Sequence, residues 1–467
     1  MLSKINPSIF RGFSVRGVVG EDFDVLAMKD IGYAVGNWFR QVKGSRLVVG
    51  YDVRATSPAL HKMLCEGLLS TGADVISIGL VPTPVLNFAT DYYSAKGGIM
   101  VTASHNPAEY NGLKIRADRT IFGSDLQKIY GLISSDEPMF TPGTMNYDDP
   151  INVYIDTLLA KFAFQKYLRI VVDGGNGANG KIVPSLLRQF GHEVVELFCD
   201  LDGNFPNRDP DPSVPDATTQ LSSIVVSEKA DLGLAFDGDG DRVILVDEMG
   251  NRILGDQILM ILAGYAIENK TADKIVYEVL CSHALPDYVS MKGGTPIPAP
   301  SGYAFVHDVM LSEGAKVGGE MSGHLFLTDD DFKFDDAILA ACQVLSILSS
   351  SDKPLSGLIS ELPSYFASDE YRIDCGKDDG DKHKIEIVKS LREHYTKEGY
   401  SLEEIDGISI DFGDTWALIR QSNTQPVISL RIESKLSVNQ MNKVKNAVFS
   451  QVAKEFNKRD IPWPLNP

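Results

Sequence analysis

The chain has 467 residues, 43% hydrophobic and 23% charged. That is ordinary globular composition, which excludes a disordered or fibrous chain and, at roughly 100 to 150 residues per domain, leads one to expect about three or four domains. The formal net charge of −19 disfavours nucleic acid and anionic membrane as partners, since both repel an acidic surface; a small anionic ligand remains possible where basic groups line a local cleft.

No apolar run reaches the roughly 18 residues of a membrane helix, and the N-terminal MLSKINPSIF lacks the apolar core of a secretion signal, so a cytoplasmic protein is expected. Three segments then share a rhythm: RLVVGYDVRATSP from Arg46, RIVVDGGNGANG from Arg169 and KIVYEVLCSHALP from Lys274. Each begins on a basic residue, runs through β-branched residues and breaks into a polar loop before a helical stretch. A second strand follows each, in GADVISIG, GHEVVELF and GGTPIPAP. Three β-loop-α-β units predict three α/β domains of similar plan, with chance recurrence of a common unit as the alternative. From about Pro363 the pattern becomes EYRIDCG, a helix in KHKIEIVKSLREHYTKEG, then GISIDF, WALIRQS, VISLRIES and a last helix from Ser437. Antiparallel strands with helices on one face make a smaller α+β domain. Pro, Gly and Ser concentrate in SSDEPMFTPGTMNYDDP, near Gly250 to Gly255 and in LSSSDKPLSGLISELPS, which read as linkers. The expected domains are therefore 1–150, 151–252, 253–363 and 364–467. The five cysteines are odd in number and scattered, which predicts reduced core residues rather than a disulfide framework.

Four polar clusters stand out. GGIMVTAS reads as an apolar strand whose carboxyl end presents Ser104, His105 and Asn106, at the sheet edge where α/β proteins bind ligands; an Asn-Pro turn is the plain alternative. In LGLAFDGDGDRVILVDEMG, Asp237, Asp239 and Asp241 alternate with glycines and can converge on one hard cation. An EF-hand fails there, because Arg242 occupies the position of its turn glycine and the flanks are strand-like; a solvated acidic turn stays open. VGGEMSGHLF offers Glu320, Ser322 and His324 on an extended loop, suited to sugar hydroxyls or to a mere turn. RQSNTQP carries the Arg420 fork with Ser422, Asn423 and Thr424, a set that suits a phosphate dianion, or a hairpin with polar filler.

TASHNP, DGDGDR, GEMSGH and RxSNTxP, in that order over essentially the whole chain, resemble the α-D-phosphohexomutase superfamily and its phosphomannomutase/phosphoglucomutase branch. The resemblance implies four domains around a central cleft. It implies a phosphoserine at Ser104, and Mg²⁺ held by Asp237, Asp239 and Asp241 with a phosphoserine oxygen. The like charges of phosphoserine and phosphosugar then need Lys114, Arg16 and Arg242 beside the cation. It further implies sugar contacts from Glu320, Ser322 and His324, and a phosphate clamp at Arg420, Ser422, Asn423 and Thr424. Lys114, in the NGxK position, is the general acid/base candidate, with His324 or Arg16 nearby. The implied reaction interconverts hexose 6-phosphate and hexose 1-phosphate, of mannose or glucose, through a hexose 1,6-bisphosphate, with glucose 1,6-bisphosphate as activator. Its partner is a small phosphosugar; the chain is a monomer or a dimer. Nucleotide-driven transfer is disfavoured, since no GxxxxGK[ST] loop is present.

The chain departs from the branch at Leu280 and His283, where Lys and Arg are usual. It departs again at Pro300, Ser301, Tyr303, Ala304 and His307, in a segment that normally carries a basic residue, Thr-Gly-His-Ser and a later Lys, and at Phe13 and Ser14 for Tyr and Asp. Two readings follow: Tyr303 and His307 serve a different ring or substituent, or the chain is an impaired phosphosugar-binding paralogue. Met321 stands where the phosphoglucosamine type shows Gln, and phosphoglucosamine is the runner-up substrate.

Overall fold

The computed structural model describes residues 5–42, 44–133, 141–376, 379–422 and 425–464, and Asn423 and Thr424 of the expected phosphate clamp lie outside them. Four sheets organise the chain. The first runs in the order Phe10–Arg11, Ser14–Val18, Tyr110–Arg116, Gly97–Val101, Arg46–Tyr51, Asp74–Leu80 and Met145–Tyr147. The second runs Arg252–Ile253, Val243–Asp247, Leu232–Phe236, Arg169–Asp173 and Glu193–Leu197, and the third Thr295–Ala299, Lys274–Glu278, Val317–Gly319 and Leu325–Leu327.

One path recurs in all three. The first strand of each unit (Arg46–Tyr51, Arg169–Asp173, Lys274–Glu278) is flanked in parallel by the second and the third. The fourth strand then returns antiparallel beside the third. Helices lie between first and second strands, at Ser57–Ser70, Ile182–Gln189 and Ala284–Met291. Covered on both faces, the third strands Gly97–Val101 and Leu232–Phe236 are buried along their whole length, which explains their apolar sequence.

The linker expected near Gly250 to Gly255 takes the form of a tight turn and a short strand. Gly250 lies in the turn of a hairpin between Val243–Asp247 and Arg252–Ile253, closed by Asp247 Oδ1, which accepts from the Met249 and Asn251 amides at 3.0 and 2.8 Å. Helix Gly255–Glu268 follows almost at once.

The last sheet is wholly antiparallel, in the order Phe366–Ala367, Val427–Ser434, Thr415–Gln421, Ile408–Asp411 and Ser401–Glu403, with Tyr371–Asp374 also on Val427–Ser434. Helices Gly380–Lys397 and Val438–Asn457 pack on it. Its core, built on Ile387, Leu430, Val448 and Phe456, is separate. By contrast one apolar core runs from helix Thr83–Tyr92 through the second domain into the third, taking in Val85, Leu186, Leu259 and Leu345. All five cysteines are free and buried. Among the described residues no helix is long and apolar enough to cross a membrane.

Candidate active site

In each of the first three sheets the third strand ends, by the shared topology, at a loop leading into the antiparallel fourth strand. These loops carry Ser104, the run Asp237 to Arg242, and Glu320 to His324. Ligand-binding loops belong at the carboxyl ends of parallel strands, and the three loops converge on one another.

Ser104 is fully buried in a left-handed conformation, φ 52°, a strained state for a non-glycine residue. Its hydroxyl donates to Asp237 Oδ2 at 3.1 Å and lies 3.2 Å from His105 Nδ1. Approach of the two loops requires Gly238, whose added Cβ would stand 2.7 Å from the Ser104 carbonyl oxygen.

Asp237, Asp239 and Asp241 are completely buried, and one carboxylate oxygen from each lies within 4.8 Å of the others. Asp237 Oδ1 accepts from the Gly240 and Arg242 amides at 3.0 and 3.1 Å. Asp239 Oδ2 accepts from Thr83 Oγ1 at 2.7 Å and meets Lys114 Nζ at 2.6 Å, while the same ammonium pairs with Asp241 Oδ2. Asp239 Oδ1 and Asp241 Oδ1 are left buried without a hydrogen-bond partner. Orphaned carboxylate oxygens in an all-oxygen donor set fit a hard divalent cation. Burial, and then Asp241 and Asp239, push Asp237 well above the usual carboxylate range. Burial also presses on Asp239, but there the Lys114 ammonium prevails and holds it below its ordinary value. Burial would lower Lys114, yet Asp239 and Asp241 raise it, so it is a firm cation.

Arg242 joins this loop to the third domain. Its Nε donates to His324 Nε2 at 2.9 Å, and His324 Nδ1 lies 2.7 Å from Asp335 Oδ2 and 3.6 Å from Asp241 Oδ1. These partners assign the proton to Nδ1, and burial lowers the imidazole to about 3, so His324 is neutral. Glu320 Oε1 accepts from the Gly302 amide at 2.9 Å and Oε2 from Ser322 Oγ at 3.2 Å. Arg16 reaches the nucleophile loop through Asn106 Oδ1 at 2.8 Å. In the last domain Arg420 Nε donates to Asp406 Oδ2 at 2.8 Å, and the same oxygen accepts the Ser301 amide at 3.0 Å. Lys384 Nζ ties the carbonyls of Ser422 and Gln425 at 2.8 and 3.0 Å.

Ser104, Lys114, Arg16, Arg242, the three aspartates, Glu320, Ser322 and His324 thus form one continuous network. Arg420 joins its edge through Asp406. Sequence reasoning missed Arg54, Thr83, Asp335, Lys384 and Asp406. The signal for Arg54 lay in RLVVGYDVRATSP, where a polar pair follows a buried strand; a lone Lys or Asp elsewhere carries no local mark.

The departures fall into three places. Tyr303 stacks on His324, centroids 5.0 Å apart, and meets Phe13 edge-on at 6.0 Å, so two departures touch across the first and third domains. His307 does not reach the site; it is 1% exposed and packs on Phe326 and Phe334. His283 stacks on Trp416 at 4.4 Å, and the Leu280 carbonyl accepts from Arg431, so both turn toward the last domain.

Family models agree with this architecture along the chain. Residues 7–138, 152–250 and 254–366 match the alpha/beta/alpha domains I, II and III of phosphoglucomutase/phosphomannomutase, and residues 377–451 match its C-terminal domain. A phosphomannomutase/phosphoglucomutase of Pseudomonas aeruginosa is 35% identical over 458 residues, 98% of each chain. A phosphoglucomutase of Neisseria gonorrhoeae is 33% identical over 468 residues, 99% of this chain and all of its own. The crystal structure of a phosphoglucomutase/phosphomannomutase family protein from Burkholderia thailandensis superposes with TM-score 0.90 at 31% identity, covering 99% of this chain and 100% of the other. With the serine, aspartate and sugar loops assembled on a fold shared from end to end, the chain belongs to the phosphoglucomutase/phosphomannomutase family and is a phosphohexomutase, an isomerase of hexose phosphates.

Proposed function

We propose that the chain interconverts the 6- and 1-phosphates of glucose or mannose through a phosphoserine at Ser104 and a hexose 1,6-bisphosphate. The observation that carries this reading is the contact of Ser104 Oγ with Asp237 at 3.1 Å, beside a buried carboxylate cluster that Lys114 only partly neutralises. In the first transfer the bond from Ser104 Oγ to phosphorus breaks, a sugar hydroxyl oxygen bonds to that phosphorus, and the hydroxyl proton leaves to a base; in the second the bond from phosphorus to the other sugar oxygen breaks, Ser104 Oγ takes the phosphoryl group back, and that sugar oxygen regains a proton. Asp237, Asp239 and Asp241 would hold Mg²⁺, which would neutralise charge on the transferring phosphoryl group. Lys114 keeps its proton in this arrangement and so serves as donor and counter-charge. The neutral imidazole of His105, 3.2 Å from Ser104 Oγ, lies beside the serine oxygen and so is placed to orient Ser104 rather than to take the proton of a sugar hydroxyl attacking in line from the far side of phosphorus. Glu320 and Ser322 would take sugar hydroxyls, and Arg420 and Ser422, with Asn423 and Thr424, the distal phosphate. Because the intermediate must turn end for end, that clamp has to accept either phosphate, which suits neutral donors around one guanidinium.

A coupled mutase assay with Mg²⁺ and a trace of glucose 1,6-bisphosphate, offering glucose, mannose and glucosamine phosphates in parallel, tests this. Turnover of glucose or mannose phosphate with phosphate on Ser104 is expected. Turnover of glucosamine phosphate alone would transfer the assignment to the amino sugar. Phosphosugar binding with an unphosphorylated, inactive serine would replace catalysis with binding.

A further inference from the structure

Each of the first three domains carries a buried acid at the end of its first strand, and each acid, directly or through an arginine, holds the end of the third strand or the loop that follows it. In the first domain Asp52 Oδ2 accepts from Arg54 Nε at 3.1 Å and from Thr102 Oγ1 at 2.7 Å. Arg54, 1% exposed, directs its remaining donors into the nucleophile loop. Its Nη1 reaches the carbonyls of Pro107 and Tyr110 at 2.5 and 3.0 Å, and Nη2 those of Ser104 and Asn106 at 2.8 and 2.5 Å. Thr102 Oγ1 accepts the Ser104 amide at 2.8 Å. The strained serine is therefore held on both sides, by Thr102 at its amide and by Arg54 at its carbonyl, and both lead back to Asp52.

The second domain repeats the device with an arginine from a different place in the chain. Asp173 Oδ2 accepts from Arg208 Nε at 2.8 Å, and Arg208 Nη2 donates to the carbonyl of Phe236 at 2.7 Å, the residue before Asp237. In the third domain Glu278 acts without an arginine, its Oε2 accepting the Met321 amide at 3.3 Å and its Oε1 Ser301 Oγ. Arg54 lies two residues after its acid and Arg208 thirty-five after its own, so local sequence does not force the likeness. A buried ion pair is a weak source of stability compared with apolar packing; its specific yield here is the placement of a loop backbone.

We propose that Arg54 and Arg208 are positioning residues, Arg54 fixing the backbone that aims Ser104 Oγ and Arg208 the backbone that presents Asp237. The proposal rests on the reading of Ser104 as the phosphoryl carrier. The test measures transfer of phosphate from glucose 1,6-bisphosphate to Ser104 by rapid quench and intact-protein mass, together with the KM for the phosphosugar and Mn²⁺ binding by electron paramagnetic resonance. Lysine keeps the charge but not the planar fork. Arg54→Lys is expected to slow Ser104 phosphorylation roughly tenfold to a hundredfold, as a small misplacement does, with KM and Mn²⁺ affinity nearly unchanged. Arg208→Lys is expected to weaken Mn²⁺ binding. Variants that change the melting temperature alone overturn the proposal. Should Arg54→Lys fail to fold, Thr102→Val and Thr102→Ser decide: slow transfer in the first with recovery in the second supports it, and equal rates overturn it. Ser104→Ala separates the two layers. Turnover without the serine removes the reading beneath, whereas a dead Ser104→Ala beside a fully active Arg54→Lys removes only the proposal.

Discussion

Asp237, Asp239 and Asp241 are equally buried but differ in charge balance. Burial and mutual repulsion raise Asp237 and Asp241, while Lys114 overcomes burial to lower Asp239. The linkage signs follow directly. A carboxyl raised in the fold is unpenalised below its unfolded value and costs stability as pH rises from there toward the folded value, whereas Asp239 stabilises above its unfolded value and loses that contribution only in strong acid. Asp237 and Asp241 therefore oppose folding of the metal-free protein more strongly as pH rises from about 4 toward neutrality, while the buried histidines His105, His307 and His324, lowered chiefly by burial, act with the opposite sign over part of the same interval. The carboxyl contribution is read as the melting-temperature difference between Asp237→Asn and the wild type, which is expected to widen with pH. A divalent cation competes with the bound protons, so the rise in melting temperature caused by Mg²⁺ should grow over the same interval. Asp237→Asn removes the repulsion and one carboxylate of the proposed cation site together. It is expected to raise the metal-free melting temperature by a few degrees, about 1 kcal/mol, and to abolish the Mg²⁺-induced shift. Calorimetry with and without Mg²⁺ at several pH values checks this; a wild-type Mg²⁺ shift in Asp237→Asn would take the residue out of the cation site.

At the scale of elements, Arg16 and Lys114 reach the site from adjacent antiparallel strands, Ser14–Val18 and Tyr110–Arg116, in which Arg16 faces Gly112. A Cβ on Gly112 would lie 1.8 Å from the Val15 carbonyl oxygen, a backbone atom that cannot yield without parting the strands. Gly112→Ala is thus expected to destabilise the protein by about 1 to 3 kcal/mol, the usual cost of overpacking. It should also lower kcat by moving both cations; denaturation together with steady-state kinetics checks it, and full activity at reduced stability would show that the strand pair does not set their position. This element also marks how far the sequence could be read. Strands such as Gly97–Val101 and Leu232–Phe236 were legible because burial on both faces demands unbroken apolar runs, and their loops because polar residues abruptly follow. The parallel path was legible as a rhythm of strand, loop and helix. What could not be read was partnership across domains. Thr83 reaches Asp239 over 156 positions and His283 meets Trp416 from another domain, and no local pattern encodes such a meeting. The linker expected near Gly250 falls between the matched second and third domains, but its local form as a hairpin was not legible, because glycine marks a tight turn and a domain boundary alike.

Across the whole molecule, the apolar core that unites helix Thr83–Tyr92 with the second and third domains stops short of the fourth, which keeps its own. Polar and aromatic contacts join the fourth domain to the third. Glu433 accepts Ser282 Oγ at 2.7 Å and the His283 amide at 2.8 Å, and the Trp416 ring stacks with the His283 ring at 4.4 Å and with Tyr365 at 5.9 Å, with Lys435 Nζ 5.0 Å from its centroid. An interface of this kind permits domain motion, and the phosphate clamp proposed for the fourth domain would open and close with it. The resemblance assigns the position of His283 a cation for the phosphosugar; the structure turns the ring onto Trp416. The two roles give opposite forecasts for one pair of variants. If His283 holds the domain shut, His283→Ala loses a stacking contact of about 0.5 to 1.5 kcal/mol and raises KM roughly two- to tenfold, while His283→Phe keeps the stack and restores it. If His283 touches the ligand by a polar contact, phenylalanine is as poor as alanine. Trp416 supplies a second readout, since the other two tryptophans, Trp38 and Trp463, lie elsewhere in the chain. Its fluorescence should shift in His283→Ala and return in His283→Phe, and parallel loss of affinity in both variants with unaltered fluorescence would assign His283 to the ligand.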